Sequence, residues 1–310
     1  MIARLWALSY NTYREAVRAR ILHGLFALAL GAGVYAQVVA AFSNRAKLRA
    51  LSDLGAASVS IFAVFVAIVL GATSLYRELE LKTIFPILSR PLERGEYLVG
   101  KFLGALLTLS VFIAANTGAL LMALGQAAGR SFLGSFGGAL GVLVAAAIVA
   151  WRMPRLRTAL PIPVALILLG LGYLLAGGAP DDRRVLVFSA WLTLCEVGIV
   201  MGVTSVFSSF SSPFLTAVFS AGVFVVGRSA ATLGELPVRQ FGEQVRAIGQ
   251  GLSRVLPNLM LYVPERRLLT GEAAMLPIER YLAYATLHAA AWAVGLLALA
   301  AVLFRRRDFL

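Results

Sequence analysis

Uncharged apolar stretches recur along the chain at a length that fits one pattern. They span 21–42, 54–75, 102–125, 132–150, 159–178, 185–207 and 281–304, with a shorter eighth at 213–227. A helix needs roughly 20 apolar residues to cross a hydrocarbon core. The pattern therefore predicts an all-α, polytopic transmembrane bundle of about eight crossings, with seven as the alternative. The run at 213–227 reaches full length only if part of Ser208-Ser209-Phe210-Ser211-Ser212 joins it, and otherwise reads as a re-entrant segment. No alternating strands of the barrel type occur, and backbone in lipid must satisfy its own hydrogen bonds, which helices do.

Two amphipathic stretches flank these runs. In residues 1–20, Ile2, Leu5, Trp6, Tyr13, Ala16 and Val17 recur at helical spacing, with Arg4, Arg14, Arg18 and Arg20 able to reach phosphates. This predicts a helix on the bilayer surface, with Arg14 and Arg18 as interfacial anchors; the alternative is a solvated charged lead-in. The long apolar stretch begins too late for a cleaved signal peptide. In the segment 228–280, Val238, Phe241, Val245, Ile248, Leu252 and Val255 step by three and four among Arg239, Glu243, Arg246 and Arg254, which predicts a helix stopped by Pro257. It is expected to cap the bundle or lie on the outer leaflet, the alternative being a ligand-gathering lid.

Composition agrees: the 310 residues are 60% hydrophobic and 14% charged, with mean hydropathy +0.84. Soluble chains carry about a quarter charged residues. Cytosolic enzymes, disordered chains and disulfide scaffolds are excluded on these grounds. The single cysteine, Cys195, and the two histidines, His23 and His288, offer neither a disulfide nor a metal cluster. The net charge of +13 reads as membrane orientation and lipid headgroup contact, not nucleic-acid binding. An inside N-terminus with eight crossings places 15 basic residues inside and 13 outside, and puts Arg305, Arg306 and Arg307 at a cytoplasmic helix end. Both termini are then cytoplasmic, in a multi-pass protein of the inner membrane.

Between the second and third crossings, segment 76–101 mixes both signs of charge with Thr83-Ile84-Phe85 and Ile87-Leu88, the pattern of a short helix broken at Pro91. A plain connection needs far fewer residues. Here Glu80, Thr83, Leu88, Ser89, Pro91, Arg94, Glu96, Gly100 and Lys101 form an acid, a Thr, a Leu-Ser-x-Pro turn, an Arg and a closing Gly-Lys. With Asn11-Thr12-Tyr13-Arg14-Glu15-Ala16-Val17-Arg18, Ser208-Ser209-Phe210-Ser211-Ser212-Pro213 and Arg306-Arg307-Asp308, the chain resembles the membrane subunits of type-2 ABC exporters. Within them it is most similar to the branch of the permease that serves nitrous-oxide-reductase maturation.

The resemblance implies that segment 76–101 is a cytoplasmic coupling element, with Glu78, Glu80, Lys82, Thr83, Leu88, Ser89, Arg90, Pro91, Arg94 and Glu96 facing a separate ATPase. It implies a dimer of permease subunits with an ABC ATPase dimer that binds ATP and Mg, this chain carrying no cofactor. Such permeases usually have six crossings, so 132–178 reads as a two-helix insertion. Membrane lipid and an extracytoplasmic protein are the other expected partners. The alternative function is a membrane scaffold or assembly factor that uses no ATP; a proton-coupled carrier resting on Glu196 ranks last.

Gly95-Glu96-Tyr97-Leu98-Val99-Gly100-Lys101-Phe102 imitates a phosphate-binding loop, but Phe102 stands where Ser or Thr should hold magnesium, and no strand precedes it. Lys101 reads instead as an interfacial anchor. Glu196, inside the crossing at 185–207, costs about 2.5–3.5 kcal/mol unless paired or wet. It is expected to line a translocation path or helix interface, bonded to Asn116, Thr193 or Ser205, or else to be protonated and bonded to a neighbouring helix. Gln37, Asn116 and His288 read as helix-to-helix glue, and Gly134, Gly138 and Gly141 as a packing seam. No nucleophile, base and orienter come together for catalysis.

Overall fold

The computed structural model describes residues 2–43, 46–80, 94–234, 238–272 and 277–305. Every regular element among them is helical: α1 (Ile2–Arg18), α2 (Arg20–Phe42), α3 (Lys47–Glu80), α4 (Arg94–Ala127), α5 (Phe132–Arg152), α6 (Pro161–Leu175), α7 (Pro180–Ser208), α8 (Pro213–Arg228), α9 (Ala230–Gly234), α10 (Val238–Val255), α11 (Arg266–Thr270) and α12 (Ile278–Arg305), with short 3-10 turns between some of them. Seven of these are long and apolar enough to cross a membrane.

The eighth apolar run forms α8, but only 16 residues long, about 24 Å at 1.5 Å per residue. The serine-rich turn does not extend it. Ser212 caps the helix instead, its hydroxyl accepting the Leu215 N–H at 3.5 Å, with Pro213 in the first turn. Similar punctuation starts α5, where the Ser131 hydroxyl accepts the Gly134 N–H at 3.1 Å, and α7, which opens with Pro180-Asp181-Asp182.

Helix directions follow from which residues meet. Gln37 of α2 bonds to Gln126 of α4, and Phe26 meets Phe112 nearer their starts, so α2 and α4 run in parallel. Ser52 bonds to Asp182 and Ser60 to Glu196, so α3 and α7 run in parallel too. Trp191 bonds to Thr286 while Gly202 approaches Leu296, which aligns α12 with α7. Thus α2, α4, α6 and α8 leave the face that carries α1, here the α1 face, and α3, α5, α7 and α12 return to it from the far face. The chain therefore passes from α3 to α4, and ends α12, at the α1 face.

The core is built around α7, which is buried on nearly all sides, including Leu192, Val197, Ile199 and Glu196 at 0% exposure. Helices α3, α4, α8 and α12 surround it, while α2, α5 and α6 lie further out and present Leu28, Val34, Val38, Leu140, Ile148 and Leu166 to the outside. Such a continuous apolar exterior suits lipid.

Small residues set two of the closest helix contacts. A Cβ on Gly172 of α6 would come 2.5 Å from the Gly118 carbonyl oxygen of α4, so these two backbones touch. At the α1 face, a Cβ on Gly100 would sit 2.7 Å from the Leu8 Cβ, and one on Gly104 2.3 Å from the Ser9 carbonyl oxygen. Hence α1 docks on the start of α4. The expected glycine seam on α5 is not a close contact: Cβ atoms added at Gly138 and Gly141 would meet Leu171 only at 3.7 Å and nothing, respectively. It fails because α5 is a peripheral helix whose only buried residue is Ser135.

α1 buries against protein only part of the apolar side read from the sequence, together with two polar residues. Ser9, Thr12, Tyr13 and Ala16 are buried against α4, whereas Trp6 is 65% exposed. The hydroxyls that make Ser9 and Thr12 look polar donate to the Leu5 and Leu8 carbonyls of the same helix, at 2.8 and 3.1 Å, and so present little polarity to α4. Far from α1, α10 spans Val238–Val255 as predicted and ends before Pro257.

Candidate functional site

Glu196 lies midway along α7 with no exposed surface, and its partner is none of the three expected. Arg228, the last residue of α8, reaches it with two parallel hydrogen bonds: Nε to Oε1 at 2.7 Å and Nη2 to Oε2 at 2.9 Å. Ser60 of α3 donates to Oε2 at 3.2 Å and accepts from Arg228 Nη2 at 2.8 Å. The guanidinium also lies 5.4 Å from the centre of the Phe224 ring, one turn back on α8. Thus three helices meet at one bidentate ion pair. Asn116 does not join it: buried in α4, it donates to the Phe112 carbonyl of its own helix at 2.9 Å.

A second charged cluster lies nearer the far face. Arg266 of α11 bonds to Asp53 and Ser52 of α3 and to Asp182 of α7, while Arg49 contacts Asp53 at 3.5 Å. Burial alone would lower the pKa of the Arg266 guanidinium, but the hydrogen bonds and charges of Asp182 and Asp53 outweigh it and hold that pKa above its ordinary value. The far-face segment is thereby pinned to the first turns of α3 and α7. Gly271, at φ 82°, ends α11 in the left-handed region that glycine adopts without strain.

Between the two clusters opens a cleft of about 300 Å³, bounded by α3, α7 and the far-face segment. Arg228 stands on its floor and Arg266 and Asp53 at its rim, with Ser60, Thr193 and Tyr262 between. Tyr262 ties that segment to α12. The Trp292 indole N–H donates to His288 Nε2 at 3.1 Å, so His288 carries its proton on Nδ1 and donates to the Tyr262 oxygen at 2.9 Å. The Tyr262 hydroxyl in turn donates to the Ala285 carbonyl at 3.3 Å. His288 is thus a neutral bridge, and Gln37 bridges α2 to Gln126 of α4, as glue residues do. Among the described residues, no group of three His, Cys, Asp or Glu side chains is placed to hold a metal ion.

The residues expected to face an ATPase fall largely outside the described structure. Lys82, Thr83, Leu88, Ser89, Arg90 and Pro91, with the short helix expected around them, lie outside the described residues. Glu78 and Glu80 fall in the last turn of α3, Arg94 begins α4, and Glu96 is half-buried in its first turn. Gly95 to Lys101 are helical, so the lookalike of a phosphate loop has no loop. Lys101, expected as an interfacial anchor, is 8% exposed, its ammonium 5.5 Å from the Tyr97 ring centre, where α4 meets α3 and α7. Arg14 is half-buried beside Tyr10 and Arg18 is exposed; Arg305 ends α12, and Arg306 and Arg307 lie outside the described residues.

Fold and site together define a multi-pass helical membrane protein whose charged groups are packed between helices rather than set around a reaction centre. The family described as ABC-2 family transporter protein matches residues 3–309, and the chain belongs to that family. It is a permease component of an ABC transporter, which implies partnership with an ABC ATPase subunit. Among curated proteins, none matches the chain.

Proposed function

We propose that this chain is the membrane subunit of an ATP-driven exporter, and that segment 76–101 couples it to ATPase subunits that bind ATP and Mg on its behalf. One observation carries this reading beyond family membership. Helices α3 and α4 are each 34 residues long, about 51 Å, against a hydrocarbon core of about 30 Å. Both therefore run well past a bilayer, and both can do so at the α1 face, where segment 81–93 joins them. Long rigid helices make good levers, and α1 braces α4 at the same end.

The α1 face would then be cytoplasmic, in the inner membrane, and two copies of the chain would enclose the path with an ATPase dimer beneath. Motion of α3 would act directly on Ser60 and on the Glu196–Arg228 pair, which closes the floor of the far-face cleft. The narrower likeness to the nitrous-oxide-reductase maturation branch rests on the residues of 80–101. It favours export or mechanical work on an extracytoplasmic partner.

A second reading, a scaffold without ATP coupling, draws on α10, whose Ile248, Leu252 and Val255 are exposed side chains on one apolar face. Copurification separates the two. Reversal of Arg90→Glu with Arg94→Glu should release the ATPase and abolish stimulated hydrolysis, because both arginines are expected to meet acidic partner groups. Undiminished association and transport would refute the coupling assignment; loss of partner binding only on Ile248→Glu with Leu252→Glu would favour the scaffold.

A further inference from the structure

On the side of the bundle away from the far-face cleft, a second cavity of about 400 Å³ opens between the peripheral helices α2, α5 and α6, with α4 as its back wall. Its volume falls within the range of ligand pockets, about 300–1,000 Å³. Apart from His23, Thr108 and Arg157, every lining residue is apolar, and the Thr108 hydroxyl is already spent on the Gly104 carbonyl at 3.0 Å. Phe26 and Phe112 meet edge to face at 5.9 Å on the inner wall, while Ala146, Ala147 and Ala150 keep the α5 wall thin.

The mouth is of opposite character. Arg157, in the connection from α5 to α6, donates from Nε to the Ala150 carbonyl at 3.0 Å. That bond fixes the arm of the guanidinium at the cavity's edge and leaves its terminal nitrogens for a ligand. His23 stands at the α2 side of the same opening. Residues 130–180 hold four arginines and not one Asp or Glu. The nearest acid on α1, Glu15, is exposed and accepts a bond from Asn11 at 3.0 Å.

We propose that this cavity is a binding site for one anionic phospholipid of the leaflet at the α1 face, one of its two acyl chains between α2 and α5 and its phosphate on Arg157. An apolar slot with a cationic rim, between helices long and apolar enough to cross a membrane, matches a molecule with a hydrocarbon tail and a negative head, and basic pockets between membrane helices take such headgroups. The site depends on α5 and α6, so it gives the apparent insertion a task. It does not depend on ATPase coupling.

The test uses the purified full-length protein, delipidated in detergent and offered phosphatidylglycerol or phosphatidylcholine, with bound lipid counted by native mass spectrometry. Phosphatidylglycerol should be retained about fivefold better, the ratio expected from roughly 1 kcal/mol per basic group at an anionic headgroup. Arg157→Gln should abolish that preference, and Ala147→Phe, which fills the slot, should reduce retention of both lipids. Arg130→Gln removes a like charge outside the cavity and should change neither. Equal retention of the two lipids by the wild type, or a preference that survives both Arg157→Gln and Ala147→Phe, would mean annular lipid only and overturn the proposal. Should Arg157→Gln fail to fold, the Ala147→Phe comparison decides alone.

Discussion

Arg228, at the very end of α8, closes on Glu196, halfway along α7, through two hydrogen bonds of 2.7 and 2.9 Å, although 32 residues separate them in the chain. Because Glu196 has no exposed surface, removing Arg228 would strand a buried carboxylate. Arg228→Ala should cost about 3–5 kcal/mol of stability, as breaking buried pairs does. Glu196→Leu combined with Arg228→Leu should cost clearly less than the sum of the single changes. Thermal unfolding of the four proteins in detergent, read as a double-mutant cycle, checks this; additive losses would mean that the pair is not a unit.

Where α1 docks on α4, one close constraint is backbone, not side chain. A leucine at Gly104 would drive α1 off α4, because the obstacle is the Ser9 carbonyl. Hydrogen exchange in residues 2–18 should rise sharply in Gly104→Leu while the centre of α7 stays protected. Unchanged exchange in α1 would contradict the docked arrangement.

Tyr13 is fully buried, and its hydroxyl has no hydrogen-bond partner among the described residues. Tyr13→Phe should therefore be neutral or stabilising, whereas Tyr13→Ala should cost about 3–5 kcal/mol. Burial, and secondarily Tyr10, pushes the phenol up to about 12 from an ordinary 10.0. With the folded value above the unfolded one, the stabilising share is intact below pH 10 and disappears as pH climbs toward 12. Alkaline unfolding should be less steep in Tyr13→Phe over that window.

Arg266 pins the far-face segment to α3 and α7 at once. Arg266→Ala should raise hydrogen exchange across 259–272 and lower stability, with Asp182 left short of its counter-ion. The Arg228 cluster, deeper in the bundle, should remain intact, which a Glu196→Gln comparison would reveal.

Much of this architecture was legible in the sequence because a membrane reads hydrophobic length directly: the apolar runs became α2 to α7 and α12, and the heptad-like spacing of 238–255 became α10 with the same limits. The cost of Glu196 was equally visible. Its partner was not, since Arg228 stands where an apolar run ends and looks like the first residue of a loop; only the shortness of α8 brings it to mid-membrane depth. The contact of Lys101 was hidden for a related reason. A lysine at the start of an apolar run suggests a surface anchor, but α4 begins seven residues earlier and carries Lys101 against the Tyr97 ring. The docking of α1 on α4 was not visible, because Ser9 and Thr12 look polar yet hide their hydroxyls in their own helix.

The proposed coupling role stands or falls with the side of the membrane that Thr83 occupies. In a Cys195→Ala background, Thr83→Cys should resist a membrane-impermeant maleimide in intact cells and react after permeabilisation, and it should cross-link to a copurifying ATPase subunit. Ready labelling of Thr83→Cys in intact cells would place the loop outside, beyond the reach of any ATPase, and contradict the exporter reading.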